Sequence, residues 1–81
     1  MELDNAKQLF EEIVELCYES GNPRIIEVLE DIYSEVKEAT DLSKMIITLE
    51  ELQVAINESD ILPDEEDSIQ DVQEKIELLS E

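Results

Sequence analysis

Apolar residues recur along the first half of the chain at intervals of three and four, the spacing that places side chains on one face of an α-helix. One such segment runs from about Asp4 to Glu19 and a second from Pro23 to about Glu38. Between them, Gly21 suits the left-handed conformation that follows a helix, Asn22 suits the N-cap and Pro23 the first helical position. The pattern therefore predicts two amphipathic helices joined by a tight turn. Their apolar positions are Ala6, Leu9, Phe10, Ile13, Leu16 and Cys17 in the first, and Ile25, Ile26, Leu29, Ile32, Tyr33 and Val36 in the second.

A third segment, from Leu42 to Ile56, is apolar over much more than one stripe. A helix of this kind must be covered on more than one side. Because the chain is short, we expect a second copy or another protein to complete the cover, with Ile47 and Val54 as contact residues. The apolar positions are Leu42, Met45, Ile46, Ile47, Leu49, Leu52, Val54, Ala55 and Ile56.

The boundary between the second and third segments is weak. Residues 39–43 offer N-cap candidates, Ser43 among them, but contain no Gly or Pro that would stop a helix. The sequence therefore leaves open whether residues 23–57 form one helix or two.

The last segment follows Pro63, which is suited to precede or to open a helix. Carboxylates in a first helical turn interact favourably with the helix dipole, and the run from Asp64 to Asp67 supplies them. This run lacks the Gly and the alternating ligands of a calcium loop, so we interpret it as a solvated helix start. The apolar positions that follow are Ile69, Val72, Ile76 and Leu79.

These segments predict an all-α fold. One Gly and two Pro leave little turn chemistry for β-hairpins. Short connections favour antiparallel neighbours, so we expect a single domain, residues 1–81, formed by an antiparallel bundle of four helices, or of three if the second and third are continuous. We also expect it to self-associate as a dimer.

The composition excludes several familiar chemistries. Without His, the chain has neither a Ser-His-Asp nor a Cys-His arrangement, and no His-containing zinc site. Cys17 has no partner for an intrachain disulfide, and its apolar neighbours predict a buried side chain. We therefore expect a protein that is not an enzyme and has no cofactor and no metal site.

The formal net charge of −19 restricts the partners. Nucleic acid and anionic membranes both require clustered Lys or Arg, and the five basic residues are scattered. We expect no direct binding to either, and a basic protein is the electrostatically favoured partner. An acidic start and the absence of a long uncharged stretch predict a cytoplasmic protein.

Two stripes of carboxylates are the candidate charged surfaces. One is on the second helix (Glu27, Asp31, Glu35 and Glu38), and the other is on one side of the fourth (Asp64, Asp67, Asp71 and Glu74). Such stripes either imitate the phosphates of nucleic acid or are solvated faces that repel weakly. The pair Asp71 and Lys75 is among the few attractive helical pairs that offset this repulsion. Tyr18 and Tyr33 are expected at the edge of the helix seams, as ordinary edge residues or as interface anchors.

Two resemblances accompany these patterns. The run Leu62-Pro63-Asp64-Glu65-Glu66, followed by Ile69, Val72 and Ile76, resembles the start of the last helices of acyl carrier proteins. The serine that those proteins modify lies in Asp-Ser-Leu, whereas this chain has Asp41-Leu42-Ser43, so Ser43 is better read as a helix cap. In size, charge and helicity the chain is also similar to acidic immunity and anti-restriction proteins, which occupy basic grooves.

The sequence therefore predicts a small, acidic, non-catalytic protein-protein interaction module that self-associates through its third helix. The alternative is an acidic inhibitor or nucleic-acid mimic that binds a basic protein through its carboxylate stripes. An acyl-carrier-like protein is the third choice.

Overall fold

The computed structural model describes residues 2–80, which form four α-helices and no strand within that range. The helices are α1 (Leu3–Ser20), α2 (Pro23–Glu38), α3 (Leu42–Glu58) and α4 (Glu66–Ser80). The all-helical prediction is confirmed, and the second and third segments are separate helices.

The turn between α1 and α2 has the chemistry that the sequence indicates. Gly21 adopts φ 71°, in the left-handed region, and its N–H donates to the carbonyl of Tyr18. The side-chain oxygen of Asn22 accepts from the N–H groups of Arg24 and Ile25, at 3.1 and 3.2 Å. These bonds satisfy two of the amides that a helix start leaves unpaired.

The break between α2 and α3 is made by a cap rather than by Gly or Pro. Asp41 is extended, and its Oδ1 accepts from the N–H of Lys44 at 2.8 Å. Ser43, the expected cap, instead lies exposed in the first turn of α3. That prediction was wrong because the N-cap must directly precede the helix, and Asp41 occupies that position.

Pro63 precedes α4, which is one of the two positions that the sequence allows for it. It lies in a turn, where the N–H of Glu65 donates to the carbonyl of Leu62 at 2.9 Å. Asp64 therefore precedes α4, while Glu65 is 8% exposed. The interpretation of this acidic run as a solvated terminus is wrong for Glu65.

Buried side chains from all four helices form one hydrophobic cluster within the described residues. The closest packing joins α2 to α3 and α1 to α4, with looser contacts between α1 and α2 and between α3 and α4. Helices α2 and α4 therefore lie diagonally across the core. The cluster includes the four apolar positions of α4, namely Ile69, Val72, Ile76 and Leu79.

The other three helices cover most of the broad apolar surface of α3. Five of its nine apolar side chains are buried, and Leu42 and Ile46 are partly buried against the core. Only Ile47 and Val54 remain exposed among the nine. The surface of α3 left for a second protein is thus much narrower than its composition indicates.

Candidate interaction surfaces

Ile47 and Val54 are exposed on the same side of α3. Their exposed fractions are 64% and 52%, and a separation of seven residues places them about two turns apart on one helical face. Glu50 and Glu51, both exposed, stand three or four residues from each of them. Two apolar side chains thus lie in an acidic setting.

Helix α2 adds further carboxylates beside Ile47. Glu35 and Glu38 line a shallow groove of about 460 Å³ together with Ile47, and Lys44 supplies a cation there. Glu27 and Asp31 continue the same stripe along α2, and both are exposed. We call this surface the α2–α3 face: Ile47, Val54, Glu35, Glu38, Glu50 and Glu51, continued by Glu27 and Asp31.

The second predicted stripe is on another side of the molecule. Asp67, Asp71 and Glu74 are exposed on α4, and Asp64 is exposed in the turn before it. Because α2 and α4 are diagonal, their outward sides face different directions. The structure does not bring the two stripes together into one surface.

Carboxylates of α1, which are not among the residues predicted from the sequence, join the α4 stripe. Glu12, Glu15 and Glu19 line a groove of about 420 Å³ with Asp71 and Glu74 of α4. Their spacing of three and four residues was a visible signal of a shared side, but α1 is distant from α4 in sequence. Leu16, Lys75 and the half-exposed Leu78 complete this groove, which we call the α1–α4 face.

The expected Asp71 and Lys75 pair is not the ion pair that forms. The Lys75 Nζ lies 3.6 Å from Glu12 Oε2, so the lysine bridges α4 to α1. The groove that contains both partners provides more carboxylates than this one cation can neutralise.

The surface between α1 and α2 has a different character. The hydroxyl of Tyr18 donates to Glu30 at 3.5 Å, and that of Tyr33 donates to Glu11 at 3.4 Å. Lys37 forms an ion pair with the same Glu11. The Tyr33 ring also packs against buried Phe10, with ring centroids 5.7 Å apart. Both tyrosines thus lie at the seam edge, as the sequence predicts.

The neighbours of Lys37 and Tyr18 raise the pKa of each. The hydrogen bond and charge of Glu11 raise the pKa of Lys37. Partial desolvation, followed by the charge and hydrogen bond of Glu30, raises the pKa of Tyr18. Lys7 adds a second cation, since its Nζ donates to the carbonyl of Lys37 at 2.8 Å.

Two buried polar side chains connect the ends of the helix pairs. Asn22 Nδ2 donates to Glu65 Oε2 at 3.2 Å, and the same oxygen accepts from the N–H of Leu62 at 3.4 Å. This contact ties the α1–α2 turn to the connection between α3 and α4. The side chains of Asn22 and Glu65 therefore form hydrogen bonds within the protein, and their role is structural.

Cys17 is fully buried, as its apolar neighbours predict. Burial raises the pKa of its thiol to about 12, so the thiolate is scarcely populated at neutral pH. The arrangement gives Cys17 a packing role.

Between α3 and α4 there is a groove of about 320 Å³. Its apolar lining comes mainly from Ile46, Leu49 and Ile76, with Gln53 and Glu77 among the polar residues. Half of its lining residues are polar, namely Glu50, Gln53, Glu77 and Ser80, so it lacks the predominantly apolar lining of small-molecule sites. The residues that line this groove do not indicate any particular class of ligand.

Within residues 2–80, no three Asp, Glu or Cys side chains are grouped so as to hold a metal ion. In the same part of the chain, no helix has the length and hydropathy to cross a bilayer. Comparison with known protein families, curated proteins and solved structures finds no match to this chain.

Proposed function

We propose that this chain is a non-catalytic helical module that binds a basic partner protein through the α2–α3 face. The observation that carries the proposal is the exposure of Ile47 and Val54 among carboxylates from two helices. An apolar pair within an acidic surface complements an amphipathic helix whose apolar side is bordered by Lys and Arg.

The spacing of the two side chains matches such an occupant. Seven residues of helix rise about 10 Å, which is the i to i+7 repeat of a second helix lying along α3. Burial of the apolar side chains would supply the favourable hydrophobic part of the binding free energy, which the entropy cost of association offsets in part. The surrounding carboxylates would act mainly on association rate and on the choice of partner.

In this proposal the four helices form an antiparallel bundle. Side-chain contacts between α1 and α2 support it, because Lys7 reaches Lys37 while Tyr18 reaches Glu30. The start of α1 thus meets the end of α2, and the end of α1 meets an earlier part of α2, so the two helices run in opposite directions.

A second copy is a weaker candidate for this face. It would bring Glu35, Glu50 and Glu51 close to the same carboxylates of its partner, and like charges in an interface are unfavourable. The nucleic-acid mimic is also less well supported, since the two stripes lie on different sides and one stripe is sparser than a DNA strand.

The test uses a synthetic helical peptide of 18 residues as a probe, on the order of five helical turns, with Leu on an i, i+7 side and Lys elsewhere. Fluorescence anisotropy in about 0.15 M salt, which screens charges beyond about 8 Å, measures its binding. We expect the double change Ile47→Ser and Val54→Ser to weaken binding at least about tenfold, a loss of about 1.4 kcal/mol.

Leu78→Ser is the matched control, because Leu78 is also a half-exposed apolar residue beside carboxylates, but on the α1–α4 face. It should leave peptide affinity unchanged. Unchanged affinity in the double variant would mean that the peptide follows net charge alone, and equal weakening by both sets of changes would mean that it binds the two faces without preference. Either result would contradict the proposal for the α2–α3 face.

A further inference from the structure

The surface between α1 and α2 is less acidic than the α2–α3 and α1–α4 faces. It contains two cations, Lys7 and Lys37, and two carboxylates, Glu11 and Glu30, so the local charges nearly balance. The α2–α3 and α1–α4 faces carry a clear excess of carboxylates. Two molecules that each carry −19 can approach here with less local repulsion than at those two faces, because exposed charges farther than about 8 Å are screened at physiological salt.

Aromatic side chains provide the apolar part of this surface. Tyr18 is 50% exposed and Tyr33 is 37% exposed, and with Val14 they line a shallow groove of about 320 Å³. Tyrosine is enriched among the residues that dominate protein interfaces. We call the surface formed by Lys7, Val14, Tyr18, Glu30, Tyr33 and Lys37 the α1–α2 face.

The charges on this face are ordered along α2. Tyr33 lies in the middle, Glu30 is about one turn before it and Lys37 about one turn after it. A two-fold axis through Tyr33 would place Lys37 of each copy opposite Glu30 of the other. Isologous dimers require this kind of self-complementary surface.

We propose that two copies of this chain form a two-fold dimer through the α1–α2 face. The molecule measures 35 × 21 × 18 Å. The area of one long side is therefore comparable with the roughly 800 Å² that each partner buries in an interface of standard size. The dimer uses the side of α2 that faces α1, whereas the proposed partner site uses the side that faces α3. The two proposals therefore rest on different residues.

The test measures the mass of the full chain by sedimentation equilibrium over a range of concentrations. We expect the mass to rise from 9.3 kDa toward twice that value. Lys37→Glu and Glu30→Lys, each alone, place like charges opposite one another and should weaken the dimer at least tenfold. An equimolar mixture of the two variants restores both attractive pairs and should restore the dimer.

Val54→Glu is the control, since Val54 is as exposed as Tyr18 but lies outside this face. It should leave the dimerisation constant unchanged, whereas Tyr18→Ser, which keeps every charge in place, should weaken it. Helical circular dichroism verifies that each variant is folded. A mass of 9.3 kDa at every concentration, no recovery on mixing, or a dimer lost in Val54→Glu but kept in Tyr18→Ser would overturn the proposal.

Discussion

Glu65 shows how strongly position alone changes the role of a carboxylate. It belongs to a run of four acidic residues, yet it is buried while Asp64, Glu66 and Asp67 are exposed. A buried carboxylate is tolerated only with hydrogen-bond partners, and Glu65 has the amide of Asn22 and the N–H of Leu62. The residue therefore stabilises the junction between the two helix connections.

We expect Glu65→Ala to lower the free energy of unfolding by about 1 to 3 kcal/mol, because buried donors lose their acceptor. Asp64→Ala, which removes the same charge from an exposed position, should change it by no more than about 0.5 kcal/mol. Urea denaturation measures both. Glu65→Gln keeps a side-chain acceptor and should recover part of the loss, and equal stability of the two alanine variants would contradict the role of the buried contact.

Among the helices, residues close together in sequence determine which side is buried and where a helix begins or ends. The periodic apolar positions of α1, α2 and α4 define one buried side, while Gly21, Asn22 and Asp41 mark ends. The α2–α3 break contains no Gly and no Pro, so it depends on the cap of Asp41 and on the burial of Ala39, which is 9% exposed. Capping hydrogen bonds are thus most important where the chain has no Gly or Pro to end a helix.

Asp41→Ala should destabilise the protein by about 1 kcal/mol, since the N–H of Lys44 loses its acceptor. Thr40→Ala is the neighbouring control, because Thr40 is exposed and forms no cap. Thermal unfolding followed by circular dichroism compares the two variants with the native chain. If the two variants unfolded at the same temperature, the side chain of Asp41 would have no special role at the start of α3.

At the scale of the whole molecule, packing decides which charges meet. Helix α1 pairs most closely with α4, so the α1–α4 face collects carboxylates from distant parts of the chain, whereas α2 pairs with α3, which follows it in sequence. The three ion pairs within the described residues, Arg24 with Glu58, Lys37 with Glu11 and Lys75 with Glu12, each join two helices. They are partly or largely exposed, and exposed pairs stabilise a fold only weakly. The excess negative charge therefore remains largely uncompensated.

We expect the thermal midpoint to rise when salt is added between about 0.01 and 0.15 M, because the Debye length falls from about 30 to 8 Å. The triple change Glu15→Gln, Glu19→Gln and Glu74→Gln removes charge from the α1–α4 face and should reduce this dependence. NaCl and KCl should act alike. Equal midpoints at low and moderate salt would show that repulsion is not a significant cost in this fold.

The parts that could be predicted from sequence are those that depend on nearby residues. The buried sides of α1 and α4, the Gly21 turn and the burial of Cys17 all follow from spacing or from residue type. The start of α4 could not be placed, because Pro63 fits a turn before a helix as well as a first helical position. Ser43 and Asp41 were both chemically suited to cap α3, and only the backbone decides between them.

For the candidate surfaces, residue spacing alone places Glu27, Asp31 and Glu35 on one side of α2 and aligns Ile47 with Val54 on α3. Tertiary structure decided that the two carboxylate stripes lie on different sides, that α1 contributes to the α4 stripe and that Glu65 turns inward. Helical periodicity is a local property and can be read from residues three and four apart. Neighbours across a seam are set by how whole helices pack, which joins residues more than 40 positions apart, as in the contact of Asn22 with Glu65.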